Sequence, residues 1–165
     1  MQLDYSPAAS ALAALNTLLA DLATQYEAHR VLTAGGVHGA ADNTNAISAT
    51  TPPTNTAERV ALANDLRAKY NAHRIRTAGG VHGAADGTNV VTAPIATDDA
   101  AALALANDLR AKYNAHRIRT AGGVHGAADG TNVVTAPIAT DDAAALALAN
   151  DLRAKYNAHR IRTAG

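Results

Sequence analysis

Imidazole nitrogens set beside carboxylates are the donors with which a chain lacking thiols can hold a transition metal. This 165-residue sequence has seven histidines and no cysteine. Six of the histidines fall into pairs, His29/His38, His73/His82 and His116/His125, each spaced H-x8-H. Each pair is followed four residues later by Asp42, Asp86 or Asp129. The seventh, His159, belongs to a fourth copy of the surrounding sequence. Two nitrogens and an oxygen suit divalent zinc, nickel or iron. Each His/His/Asp set is therefore a candidate metal site, with about one ion expected for each complete set.

A second reading of the same residues is hydrogen bonding alone. A histidine near a helix C-terminus is favoured by the helix dipole, and one followed by small residues and Asp can bond the turn that follows. H-x8-H is not an established ligand spacing of the H-E-x-x-H kind. Catalysis is not expected, because the chain has neither a G-x-S-x-G elbow nor a cysteine nucleophile. Asp86-Gly87-Thr88-Asn89 lacks the alternating acids and closing Glu of a calcium loop. The glycine-rich residues 78–83 follow a helix pattern and carry no GK[ST], which argues against a phosphate loop. No small-molecule substrate is implied.

The elements that must position these sets repeat along the chain. The stretch YNAHRIRTAGGVHGAADGTN at residues 70–89 recurs letter for letter at 113–132. A variant occupies 26–45, and a fourth copy begins at Tyr156. The period is 43 residues from Thr54 onward, which divides the chain into a divergent repeat 1–53, repeats 54–96 and 97–139, and a partial copy at 140–165. Ahead of each block lies a helix pattern. Leu12, Leu15, Leu19, Leu22, Tyr26 and His29 fall at spacings of three and four, as do Ala102, Leu105, Leu109, Tyr113 and His116. Tyr113 reads as core packing, with its hydroxyl at the edge of the core.

Ser6 and Pro7 predict the start of the first helix, and the second is expected to start near Thr56. Thr97 and Thr140 are the expected N-caps of the later ones. Asp108 and Lys112 have i, i+4 ion-pair spacing, and Gly35-Gly36 supplies the positive φ that ends the first helix. The Val90-Val91-Thr92 stretch is β-prone and could pair with its equivalents. The fold class expected is mainly α. Each unit is one long helix plus an extended or turn segment, arranged either as a helical solenoid or as a multi-chain fibrous bundle.

The block resembles repeats of the form YNAHR…VHxAADxTNxVTA found in structural proteins of tailed bacteriophages and prophage-like elements. The match rests on Tyr70, Asn71, Ala72, His73, Arg74, Val81, His82, Ala84, Ala85, Asp86, Thr88 and Asn89. The resemblance implies a virion or fibre component. The first copy departs from the pattern at Glu27 and through the 48–53 spacer.

Composition points the same way. The hydrophobic fraction is 48%, yet much of it is alanine and only 3% of residues are aromatic, so a lone globule would have a thin core. Stacked repeats or packed chains bury more per residue. Lys+Arg and Asp+Glu are both 14, so there is no basic footprint for nucleic acid. No apolar run approaches the ~18 residues of a membrane span. The first ten residues lack a basic n-region, so no signal peptide is expected. The function expected is a structural protein that self-associates into a fibre, tube or virion or extracellular appendage, its partner being itself. The alternative is a metal-binding repeat module.

Overall fold

In the computed structural model the chain is described over residues 9–136, with side chains from Leu12 onward. The described residues are mainly helical. They comprise α1 (Ala9–Arg30), α2 (Thr56–His73) and α3 (Asp99–Arg117), each followed by a single 3-10 turn and an irregular segment, with no strand. Among them no helix is long and apolar enough to cross a membrane. The expected Ser6/Pro7 start and the Thr140 cap lie outside the described residues.

Helix starts are set by side chains that satisfy the free N–H groups of a first turn. The Asn55 side chain accepts from Glu58 N, while Glu58 reaches back to the Thr54 N–H and hydroxyl. For α3 the cap is Asp98, accepting from Ala101 N at 2.8 Å, and not the expected Thr97. A carboxylate one residue further on takes the role because it also complements the dipole. Asp99 is thereby freed to pair with the buried Arg59 of α2 at 2.6 Å. At the other end, Gly35, Gly79 and Gly122 have φ of 69–72° and turn the chain out of each helix as the Gly-Gly pairs predict.

The apolar stripes meet in one core. Leu15, Leu18, Leu19, Leu22 and Tyr26 pack with Leu62, Leu66 and Tyr70 and with Leu105, Leu109 and Tyr113, all buried. Alanines at Ala23, Ala63, Ala102 and Ala106 let the three helices approach, and each helix packs against both others. The tyrosine hydroxyls are not at the edge. The Tyr70 hydroxyl lies between the carbonyls of Asn89 and Lys112, and that of Tyr113 between those of Asn132 and Gln25. The β-prone residues do not pair as strands. Side chains satisfy the backbone instead, with Asn71 bonding both polar groups of Val91 and Asp108 accepting from Thr92 N and Ala93 N. Asp108 is spent there, and no ion pair with Lys112 forms.

Three backbone hydrogen bonds tie the loops into a cycle. Gly39 N donates to Val81 O, Gly83 N to Val124 O, and Gly126 N to Val37 O, at 3.1–3.2 Å. The third bond joins the last described repeat to the first. These glycines are needed for closeness, since a Cβ on Gly39, Gly83 or Gly126 would stand 2.4 Å from the carbonyl oxygen of Gly80, Gly123 or Gly36. Gly83→Ala is expected to lower unfolding stability by about 2–4 kcal/mol, from steric displacement plus a lost hydrogen bond. Gly87 has open space around its Cβ position, so Gly87→Ala should stay within about 0.5 kcal/mol. Urea denaturation of the pair measures both, and equal effects would refute the close-approach argument.

Candidate metal centre

Each functional side chain is placed by the local fold of its block. The first histidine of each pair ends a helix: His29 on α1, His73 on α2 and His116 on α3. The second returns over it through the Gly-Gly turn. There the backbone N–H and ring Nδ1 of His38 both bond the Leu32 carbonyl, and His82 and His125 do the same to Arg76 and Arg119. The D-x-T-N motif is an Asx turn. Asp42 Oδ1 accepts from the N–H groups of Thr44 and Asn45, and Oδ2 from the Asn45 side chain, with equivalents at Asp86 and Asp129.

The carboxylates then reach across repeats. Asp42 Oδ2 lies 2.9 Å from His73 Nδ1, Asp86 Oδ2 2.9 Å from His116 Nδ1, and Asp129 Oδ2 2.8 Å from His29 Nδ1. Arg76 and Arg119 approach the Oδ1 side of Asp42 and Asp86, at 3.4 and 3.5 Å. The position equivalent to these arginines in the first repeat is Leu32.

The structure brings all six sequence-predicted histidines together in the core, where each is at most 2% exposed. Their rings lie 4.7–5.6 Å apart, centroid to centroid, in every pairing but His29/His82, His38/His116 and His73/His125. A set in which each member touches every other but one is an octahedron, with those three pairs as its diagonals. One face is His29/His73/His116 and the opposite face is His38/His82/His125. Six imidazoles on one ion at about 2.1 Å would place neighbouring ring centroids about 4.6 Å apart, close to the observed spacing. Potential ligand atoms of His29, His73 and His116, and of three further trios drawn from both faces, lie within 4.8 Å of one another.

The tautomers follow from the partners. A backbone carbonyl or carboxylate can only accept, so Nδ1 carries the proton in all six neutral rings and Nε2 is left as a lone pair. All six Nε2 atoms are buried, and no group among the described residues donates to them. Burial pushes the imidazoles below the ordinary histidine value, and repulsion from neighbouring imidazoles adds to this in all but His29. His82 and His116 fall to about 4, His38 to about 3 and His125 to about 2. His29 and His73 are lowered too, although their Asp bonds oppose the shift. Burial alone would raise Asp42, Asp86 and Asp129. The bonds from His, Asn and the turn N–H groups outweigh it and hold all three well below the usual carboxylate range.

These buried histidine groups could hold a metal ion. The three aspartates stand behind the ring of imidazoles, each turned toward a histidine of another repeat. No sequence signal assigned those cross-repeat pairs, nor the carbonyls of Leu32, Arg76 and Arg119 that orient the second histidines. No protein family, curated protein or solved structure matches the chain.

Proposed function

We propose that the protein is a structural module whose three described repeats close around one octahedral, six-imidazole metal centre. One observation carries this reading: the six clustered imidazoles each keep a buried Nε2 without a hydrogen-bond partner among the described residues, and potential ligand atoms of four trios of them come within 4.8 Å of one another. An unsatisfied buried acceptor costs about 1–3 kcal/mol, and a cation is the partner that satisfies all six together. Divalent iron, cobalt or nickel accepts six nitrogens octahedrally, whereas zinc prefers four ligands and copper a tetragonal field. Six protein ligands leave no open position for substrate, so the centre is architectural and not catalytic.

The expected stoichiometry is one ion per chain, in place of one for each His/His/Asp set. Elemental analysis of purified protein tests this, and absence of a near-stoichiometric transition metal after reconstitution with iron, cobalt and nickel would refute it. The aspartates act as outer partners of the ligands. Asp86→Asn, which removes the carboxylate from His116 Nδ1, is expected to lower metal affinity roughly 10–100-fold. Competition titration against a chelator measures the loss.

The wider reading is a self-associating fibre, tube or virion component built from such metal-clasped units. Its support is the exposure of Val31, Ile75 and Ile118, which occupy the same place in each repeat and are 39–50% exposed. Electron microscopy before and after chelation tests it. Regular rods are expected, and uniformly small particles at high concentration would overturn the fibre reading while leaving the metal centre standing.

A further inference from the structure

Aligned on Tyr26, Tyr70 and Tyr113, the described repeats differ at two helix positions beside the irregular segment. Where α2 and α3 carry Arg67 and Arg110, α1 carries Ala23, and where they carry Asn71 and Asn114, it carries Glu27. In the second and third repeats these side chains satisfy carbonyls of that segment. Arg67 Nε donates to Ala93 O at 2.9 Å and Arg110 Nε to Ala136 O at 2.7 Å. The Asn71 and Asn114 amides donate to Val91 O and Val134 O, both at 3.1 Å.

The first repeat keeps the acceptors and lacks the donors. The equivalent carbonyls are those of Ala49 and Ile47. A carboxylate only accepts, so Glu27 takes the Ile47 N–H at 2.7 Å and gives nothing to the Ile47 carbonyl, while Ala23 has no donor to offer Ala49. Among the described residues no other group donates to either carbonyl. A cavity of about 250 Å³ opens there, lined by Ala23, Thr24, Glu27, Ile47, Ala49 and Thr51. Its charge differs as well. Arg30, which bonds Glu27, is matched by Arg74 and Arg117 on Asn71 and Asn114, so this place has lost one cation and gained one anion.

We propose that this cavity is a binding site for an alkylguanidinium group, seated between the Glu27 carboxylate and the carbonyls of Ile47 and Ala49. In each of the other two repeats a guanidinium lies against the matching carbonyl. Its planar fork of donors suits a carboxylate beside two carbonyls. The cavity is several times the ~30 Å³ of one water, which leaves room for the stem as well as the head, and Ala23, Ile47 and Ala49 give that stem an apolar wall. Calcium would need roughly six to eight oxygens, which these residues do not supply. The site is independent of the imidazole centre.

Isothermal titration calorimetry of the full chain with ethylguanidinium tests it, with ethylurea as the neutral control of the same shape. Saturable binding is expected, half complete below about 10 mM, with ethylurea about ten-fold weaker or worse. Ala23→Arg places the guanidinium of the other repeats in the cavity and should abolish binding. Glu27→Gln should weaken it about ten-fold. No saturable heat in the parent overturns the proposal, as does equal affinity in parent and Glu27→Gln, or unchanged binding in an Ala23→Arg protein of parental helix content. Should Ala23→Arg fail to fold, Glu27→Gln and ethylurea decide. Agmatine and N-acetyl-arginine amide then distinguish the source: tighter binding of agmatine assigns the site to a free guanidine compound, and tighter binding of the capped residue to an arginine side chain of another chain.

Discussion

Returning one equivalent of divalent iron, cobalt or nickel to the stripped protein should raise its thermal midpoint by at least about 10–15 °C. That follows from about 4 kcal/mol of linkage when free ion exceeds the dissociation constant about a thousand-fold, spread over a chain of this size. Structural metal sites commonly bind more tightly still. The pattern among variants separates one shared centre from three independent His/His/Asp sites. With one centre, changing any of His29, His38, His73, His82, His116 or His125 to Ala should cut the metal-induced shift by a similar amount, whichever repeat is altered. With three sites, one substitution would leave two intact and most of the shift in place. Calorimetric scans of the six variants measure this, and no shift with any of these ions or zinc would refute the centre.

Much of the scaffold was legible in the sequence because it is local. The stripe Leu105, Leu109, Tyr113 and His116 is buried as its spacing requires, and Gly35-Gly36 turns the chain as Gly-Gly must. The recurrence of two histidines in each block also marked side chains that the fold gathers in its core. What escaped is non-local. His73 is 31 residues from Asp42, and His29 is 100 from Asp129, so the in-repeat grouping His29/His38/Asp42 put each aspartate with the wrong histidines for hydrogen bonding. Spacing along one chain cannot say how many repeats complete a turn, because that depends on how closely alanine-lined helices approach and on the loop contact at Gly39, Gly83 and Gly126. The small errors have the same origin. Thr97 is a sound cap residue by type, but the Asp98 carboxylate caps α3 and also complements its dipole, which leaves Asp99 to pair with Arg59. Val90 to Thr92 have strand-forming side chains, but Asn71 and Asp108 reach their backbone first.

Acid should take the metal-free fold apart abruptly between about pH 6.5 and pH 5. Six imidazoles are held neutral in the core, with values of about 4 for His82 and His116, about 3 for His38 and about 2 for His125, and His29 and His73 likewise lowered. In the unfolded chain each returns to about 6.5. Because the folded values are depressed, the unfolded state binds more protons below pH 6.5, and stability is complete above that point and falls as the pH drops. Six groups at about 1.4 kcal/mol each give a slope near 8 kcal/mol per pH unit, against a total stability of about 5–15 kcal/mol for an ordinary domain. The groups facing the cluster do not reverse the sign. Asp42, Asp86 and Asp129 stay ionised through this window, and Arg76 and Arg119 lie beside two of them. Tyr26, Tyr70 and Tyr113, which pack edge-on against His73, His116 and His29, are neutral throughout. A bound ion competes with protons for the same Nε2 atoms, so loading with metal should move the transition to lower pH and couple it to metal release. Circular dichroism across pH 7.5 to 4 at roughly constant ionic strength, with and without metal, follows both. Helix content that holds to pH 4 without metal would mean that the imidazoles are not locked away from protons, and the closed core would fall with it.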